Sequence, residues 1–143
     1  MTAQPARPAR TLYTPEILGA ATMLADFAWD DGLPLRGEAR SRRCGSTLAL
    51  GLKVDAAGRI TALGLRAHAC AIGQAAAYAF ASAAKGRDRA GIATARATLA
   101  DWLAGAGAMP DWPGIALVEP ALGYSARHDA IMLAWDAALA ALA

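Results

Sequence analysis

The chain contains two cysteines, Cys44 and Cys70, and their thiols are its strongest candidates for chemistry. Cys44 follows Arg42 and Arg43, whose positive charges favour the thiolate form of a neighbouring thiol. Cys70 opens a long alanine-rich segment, and a thiol at a helix N-terminus is stabilised as thiolate by the helix dipole. Two thiolates could bind a soft metal ion or accept sulfur. Three other interpretations stay open: a single disulfide, a buried structural Cys70, and a solvent-exposed loop around Cys44.

The segment between the cysteines predicts a β-hairpin that returns the chain to its starting point. Residues 47–55 place Leu48, Leu50, Leu52 and Val54 on one face of a strand. Residues 56–58 predict a tight turn, and residues 59–67 predict the returning strand. A slip in the apolar alternation between residues 60 and 63 indicates a bulge or burial on both faces. The hairpin is therefore expected to bring Cys44 and Cys70 together at one end of the sheet.

A histidine could join the two cysteines as a third metal ligand. His128 follows Ser125 at the predicted start of the last helix and could approach the two cysteines there. Two thiolates and one imidazole suit zinc, with the fourth position taken by Ser46, Asp129, His68 or water. His128 alone is equally well explained as a surface residue of a first helical turn, and His68 is more simply a strand residue. The arginines 40, 42 and 43 are interpreted as a solvated face.

Length, composition and charge limit the classes of function. The chain has 143 residues, 56% hydrophobic and 18% charged, which predicts one domain with a sizeable core. A net charge of +2 without a dense basic stripe argues against nucleic acid as a partner. The N-terminus lacks the apolar core of a secretory signal, and no apolar segment is long enough to span a membrane. Free thiols persist in reducing compartments, so the expected location is cytoplasmic.

The remaining pattern predicts helices around the hairpin. Thr14-Pro15-Glu16 is typical of a helix start, and the following apolar stripe reaches to about residue 30. Residues 35–43 predict a polar edge strand, residues 71–84 and 88–104 predict two helices, and residues 115–119 a short turn. Ser125 is expected to cap the last helix. The fold class is α+β, a three-stranded antiparallel meander with helices packed on one face. Residues 1–11 are expected to form a disordered tail, and residues 12–143 a single domain.

Three segments of the chain resemble the iron–sulfur cluster assembly scaffold family, of the IscU, SufU and NifU N-terminal type. The family pattern has a Cys-Gly-Asp segment, a Gly-Cys-Ala/Ser-Ile-Ser-x-Ala segment, and a third cysteine just before a helix that contains Leu-Ala. The matching segments here begin at Cys44-Gly45-Ser46, at Ala69-Cys70-Ala71-Ile72 and at Arg127-His128-Asp129-Ala130. The sequence Leu133-Ala134-Trp135 is closer to the SufU branch. With its flanking segments the resemblance covers about residues 12–142.

The chain departs from this family pattern at two ligand positions. Ser46 replaces the aspartate that commonly helps to hold the metal or labile cluster, and Ala130 aligns with the third cysteine. His128 lies two residues before that position and is a candidate substitute. A [2Fe–2S] cluster usually takes four protein ligands, so two thiolates and one imidazole would hold it weakly, whereas zinc tolerates such a set better.

The resemblance implies a scaffold or sulfur acceptor rather than an enzyme. Cys44 and Cys70 would accept sulfur from a cysteine desulfurase and, with His128, hold a transient iron–sulfur cluster or zinc. Two alternatives stay open: a zinc-dependent sulfur acceptor of the SufU type, and a relative that lost its ligands and became a binding or regulatory subunit. The implied partners are other iron–sulfur assembly proteins.

Overall fold

Three antiparallel strands form the sheet, as the sequence predicted. In the computed structural model, which describes residues 12–43 and 45–143, the strands are β1 (Leu35–Arg40), β2 (Thr47–Val54) and β3 (Ile60–His68). They pair in the order β1–β2–β3. The pairing register shifts between Lys53 and Val54, where Lys53 pairs with Ala62 but Val54 pairs with Ile60. The predicted bulge is therefore confirmed.

The described residues form four α-helices: α1 (Pro15–Met23), α2 (Ala71–Ala83), α3 (Arg89–Leu103) and α4 (His128–Ala141). Three 3₁₀ segments accompany them, at Leu24–Phe27, Ile115–Ala121 and Ser125–Arg127. Helix α4 packs against β1, β2, α2 and α3, so it joins the sheet to the helical layer. The α+β class and the packing of helices on one sheet face are thus confirmed. None of the helices in the described part of the chain has the length and hydrophobicity to cross a bilayer.

Local signals explain where two of the four described α-helices begin. The hydroxyl of Thr14 accepts a hydrogen bond from the amide of Ile17 at 3.1 Å, and the Asp88 carboxylate accepts one from Gly91 at 2.9 Å. Both caps satisfy amides that have no partner within the helix. The first helix is shorter than predicted, because α1 ends at Met23 and continues only as a 3₁₀ turn to Phe27.

The start of the last helix differs from the prediction. Ser125 begins a separate 3₁₀ turn, and α4 starts at His128 with Arg127 as its cap residue. No side-chain capping hydrogen bond forms at Arg127 within the described residues. The predicted capping role of Ser125 is therefore wrong, because the chain turns through one tight 3₁₀ turn before the α-helical hydrogen bonds begin.

Close backbone contact fixes α4 on the sheet. A Cβ atom built on Gly37 of β1 would lie 2.1 Å from the carbonyl oxygen of Ala137 and 2.6 Å from the amide nitrogen of Ala141. Only a residue without a side chain fits between this strand and this helix. The contact sets the position of α4 along β1, and with it the position of the residues at the helix start.

The core between sheet and helices is built from the alternating leucines of β2 and an aromatic cluster. Phe80 stacks on Trp112 with ring centroids 5.3 Å apart, and Trp135 meets both rings edge-on. Trp112 donates a buried hydrogen bond from Nε1 to the carbonyl of Ala79 at 2.9 Å. The buried Nε1 of Trp135 has no hydrogen-bond partner within residues 12–43 and 45–143.

The predicted disordered tail, residues 1–11, lies outside the described residues.

Replacing Gly37 with alanine tests the contact between α4 and β1. Gly37→Ala is expected to lower the free energy of unfolding by about 3 kcal/mol, because the new methyl group forces the backbone of α4 away from the sheet. Urea unfolding followed by circular dichroism measures the change.

The matched control is Gly19→Ala in α1, where a Cβ would have no atom within 4 Å. Alanine is the better helix former, so this variant is expected to gain about 0.5–1 kcal/mol. Equal unfolding midpoints for the two variants would contradict the close packing of Gly37.

Candidate functional site

Cys70 lies at the N-terminus of α2, as the sequence predicted. Its backbone is extended (φ −65°, ψ 169°), and its carbonyl accepts the first helical hydrogen bond from the amide of Gln74 at 3.0 Å. The thiol is free and half-buried, so its sulfur is neither sealed in the core nor fully solvated. The sulfur accepts no capping bond within the described residues. The unpaired amides of the first turn face this end of the helix and favour negative charge there.

Cys44 itself lies outside the described residues, and a backbone hydrogen bond joins the residues on either side of it. The amide of Ser41 donates to the carbonyl of Ser46 at 2.8 Å, which closes the connection from β1 to β2. Gly45 has a positive φ of 71°, a conformation that glycine adopts most readily. Ser41 and Ser46 are both buried. The connection that carries Cys44 is therefore tightly anchored at both ends.

The strand register brings this connection and the start of α2 to the same end of the sheet. Thr47 pairs with Arg40 on one side and with His68 on the other, so these three residues form the last row of the sheet. Cys70 follows that row by two residues. The topology thus supports the predicted neighbourhood, while the distance between the two sulfurs stays a prediction.

Ala130, the position that aligns with the third family cysteine, lies against the first turn of α2. A Cβ atom built on Gly73 would be 3.2 Å from the Cβ of Ala130 and 3.4 Å from its carbonyl oxygen. Ala130 is buried, and Gly73 follows Cys70 by three residues. The starts of α2 and α4 are thus in direct contact, and the place of a third ligand is filled by a methyl group.

His128 is held by the backbone of the preceding segment. Its Nε2 lies 3.2 Å from the carbonyl oxygen of Ala121 and 3.0 Å from that of Leu122. Because carbonyl oxygens only accept hydrogen bonds, Nε2 must carry the proton. In the neutral ring Nδ1 is then the nitrogen with a free lone pair, which is the arrangement found in many metal-ligating histidines.

The other predicted ligands lie on different elements of the fold. His68 is exposed at the end of β3, and Asp129 lines a surface cleft beside α4. Ser46 is buried, and its carbonyl accepts the hydrogen bond from the amide of Ser41. Within residues 12–43 and 45–143, no three His, Cys, Asp or Glu side chains are grouped closely enough to hold a metal ion. A metal site would therefore need Cys44 to complete it.

Sequence analysis missed a charged cleft of about 330 Å³ between the end of β1 and helices α3 and α4. Arg40, Arg42 and Asp129 line it together with Arg96 and Asp136, which form an ion pair at 2.8 Å. The sequence pattern of arginines 40, 42 and 43 indicated only a solvated face. The available signal was the seven-residue spacing of Asp129 and Asp136, which places both on one side of a helix.

Comparisons with known proteins identify the fold. No protein-family model matches the chain, and no curated protein matches its sequence. The crystal structure of a nitrogen-fixing NifU-like protein (N-terminal) from Brucella abortus is similar, with a TM-score of 0.85, 26% identity and 94% of both chains covered.

A second similar structure is that of a protein from Fervidobacterium islandicum AW-1, described as an iron–sulfur cluster assembly scaffold for the SUF system. It has a TM-score of 0.80 and 19% identity, covering 92% of this chain and 97% of that one. At this identity the likeness concerns the fold. Both relatives are of the type that the cysteine motifs resemble. The chain thus shares its fold with a NifU-like N-terminal protein and a SUF-system scaffold protein, and it departs at Ser46 and Ala130 from the family pattern that its cysteine segments resemble.

Proposed function

We propose that this protein is a sulfur-accepting scaffold of iron–sulfur cluster assembly that acts through Cys44 and Cys70. The observation that carries the proposal is the free, half-buried thiol of Cys70 at the N-terminus of α2, in a chain whose fold matches scaffold proteins. A sulfur acceptor needs a thiol that a partner can reach and surroundings that tolerate negative charge. The start of α2 offers both, and we place this activity in the cytoplasm.

The proposed chemistry is sulfur transfer from a persulfide on a partner protein. The thiolate of Cys70 attacks the outer sulfur of that persulfide and forms a new S–S bond. The S–S bond of the donor breaks, and its electron pair leaves with the donor cysteine as thiolate. No net oxidation or reduction occurs in this step. A cysteine desulfurase is the class of partner that carries such a persulfide.

The donor set determines how firmly a cluster could be held as cargo. The proposed ligands are Cys44, Cys70 and Nδ1 of His128, whereas Ala130 supplies no ligand. A cluster usually takes four protein ligands. The three proposed ligands are therefore better suited to binding a cluster briefly than to storing it. This chain is accordingly proposed to pass sulfur or a cluster onward quickly.

Mass spectrometry of the persulfidated protein tests the sulfur transfer. After anaerobic incubation with a cysteine desulfurase and cysteine, the peptide that contains Cys70 is expected to gain one sulfur atom, as is the one that contains Cys44. The Cys70→Ser variant has no thiol at position 70 and is expected to gain sulfur only in the peptide that contains Cys44.

A lysine variant serves as the control that shows whether the gain of sulfur is specific to the thiols. Lys85→Ala changes an exposed residue that follows the end of α2 and is expected to leave both modifications unchanged. If neither cysteine gains sulfur although the desulfurase turns over, the scaffold proposal fails. In that case the protein is best explained as a binding or regulatory relative that kept only the fold.

The geometry of His128 favours a second candidate, a zinc-dependent sulfur acceptor. The two carbonyls at Nε2 orient the ring and leave Nδ1 as the metal-binding nitrogen. Zinc accepts two thiolates and one imidazole and keeps a fourth position open. In this function the metal would hold a thiolate until the sulfur donor arrives.

The zinc content of protein purified without chelators separates the two candidates. Near-stoichiometric zinc that is lost in Cys70→Ala and reduced at least about tenfold in His128→Ala is the result expected for a zinc-dependent acceptor. The control His68→Ala removes the other histidine, which is exposed, and tests whether His128 is specific. If His128→Ala retains full zinc, His128 is not a zinc ligand. If the native protein contains no zinc and still accepts sulfur, the result favours the scaffold over the zinc-dependent acceptor.

A further inference from the structure

One residue, Gln74, makes hydrogen bonds to the backbone on both sides of Cys70. Its side-chain Nε2 donates to the carbonyl of Ala69 at 2.8 Å, and its backbone amide donates to the carbonyl of Cys70 at 3.0 Å. The second bond is the ordinary bond of an α-helix, in which an amide reaches back four residues. The first bond is not helical, because it reaches back five residues to a residue that precedes α2.

The two carbonyls belong to the two peptide planes that flank the Cα atom of Cys70. Because each peptide unit is planar, φ and ψ of Cys70 are the only soft rotations between these planes. Two bonds from one residue therefore hold Cys70 at its φ of −65° and ψ of 169°. They also set the direction of the Cα–Cβ bond that carries the thiol, so that only rotation about χ1 still moves the sulfur.

Ala69 has no strand partner that could hold its carbonyl instead. The last pair between β2 and β3 joins Thr47 to His68, one residue earlier in the chain. The methyl group of Ala69 packs beside the first turn of α2, since a Cβ built on Gly73 would lie only 3.0 Å from it. The side chain of Gln74 thus supplies, just beyond the end of the sheet, the hydrogen bond that the sheet no longer supplies.

This bond differs from the usual role of glutamine at a helix start. In a capping box the glutamine is the third helical residue, and its side chain reaches back to the backbone N–H of the cap residue. Gln74 is the fourth residue of α2 and donates to a carbonyl one residue before the cap residue, Cys70. The bond therefore orients the backbone and leaves the unpaired amides of the first turn to face the sulfur.

We propose that Gln74 is a positioning residue for the Cys70 thiol in sulfur transfer, an inference that rests on the proposed function. Attack on a persulfide requires the thiolate to meet the donor S–S bond in a defined direction, and small displacements of a reacting group are costly. Because both peptide planes around Cys70 are already held, less freedom is lost when the sulfur donor docks.

The variant Gln74→Met removes the donor and keeps a side chain of similar length. Gln74 is half-buried and borders an open groove of about 350 Å³ between the first helical segment and β3, so the new side chain has room. The matched control Ser82→Ala removes a bond of equal length from the other end of α2, where the Ser82 hydroxyl donates to the carbonyl of Tyr78 at 2.8 Å. Circular dichroism confirms that the variants are folded.

Single-turnover transfer of sulfur from a cysteine desulfurase is measured as the gain of mass in the peptide that contains Cys70. Gln74→Met is expected to lower the rate at saturating protein about tenfold and to leave the half-saturating concentration unchanged. Alkylation of the same peptide by iodoacetamide is expected to keep its native rate, because this small reagent reaches a thiol from several directions. Gln74→Lys restores a donor and is expected to regain most of the transfer rate, and Ser82→Ala is expected to keep all of it.

A second measurement does not involve a sulfur donor. The NMR order parameter of the Cys70 amide is expected to fall from a rigid value of about 0.85 to below about 0.6 in Gln74→Met and to stay unchanged in Ser82→Ala. If the native protein accepts no sulfur while Gln74→Met loses this order, the proposed function fails and the positioning of Cys70 by Gln74 stands.

Three results would overturn the role of Gln74. They are an unchanged order parameter in Gln74→Met, a slowing of sulfur transfer that alkylation shares, and a Gln74→Lys variant as slow as Gln74→Met. If Gln74→Met does not fold, Gln74→Glu takes its place, because a carboxylate has nearly the same shape and no donor at neutral pH.

Discussion

The structure depends on the close contact that helix α4 makes with two other elements. Its C-terminal half lies on Gly37 of β1, where no side chain fits, and its first turn places Ala130 against Gly73 of α2. Buried backbone contacts of this kind leave little freedom, because interiors are packed at crystal-like density. One helix therefore fixes both the sheet and the start of α2, where Cys70 is located. The position of the candidate thiol follows from this packing.

The same contact lies at a position where the chain departs from the family pattern that it resembles. At Ala130 the helix presents a methyl group to the start of α2, where the family pattern has a thiol. His128 lies two residues too early in the helix to replace that thiol directly, and two backbone carbonyls hold its Nε2. Under the proposed function the site would have fewer ligands than the family pattern, which would favour transfer of sulfur or metal over storage.

Much of the fold could be predicted from local patterns, whereas the site could be predicted only in outline. The alternating leucines of β2 and the Thr14 cap determine their elements through neighbouring residues alone, and both predictions are confirmed. The start of α4 was missed because it depends on a tight turn rather than on the capping ability of Ser125. The cation–π contacts of Trp29 with Arg36 and Arg66 were missed because they join residues from different elements.

The most direct test of this account is the number of sulfur atoms around a metal ion bound at the site. X-ray absorption at the zinc edge, on protein loaded with one equivalent of zinc, is expected to show two sulfur neighbours with lighter atoms completing the shell. In the Ala130→Cys variant the number is expected to rise to three, because the added thiol projects towards the start of α2. Native protein with no sulfur neighbour or with three, or a variant with an unchanged count, would contradict the account.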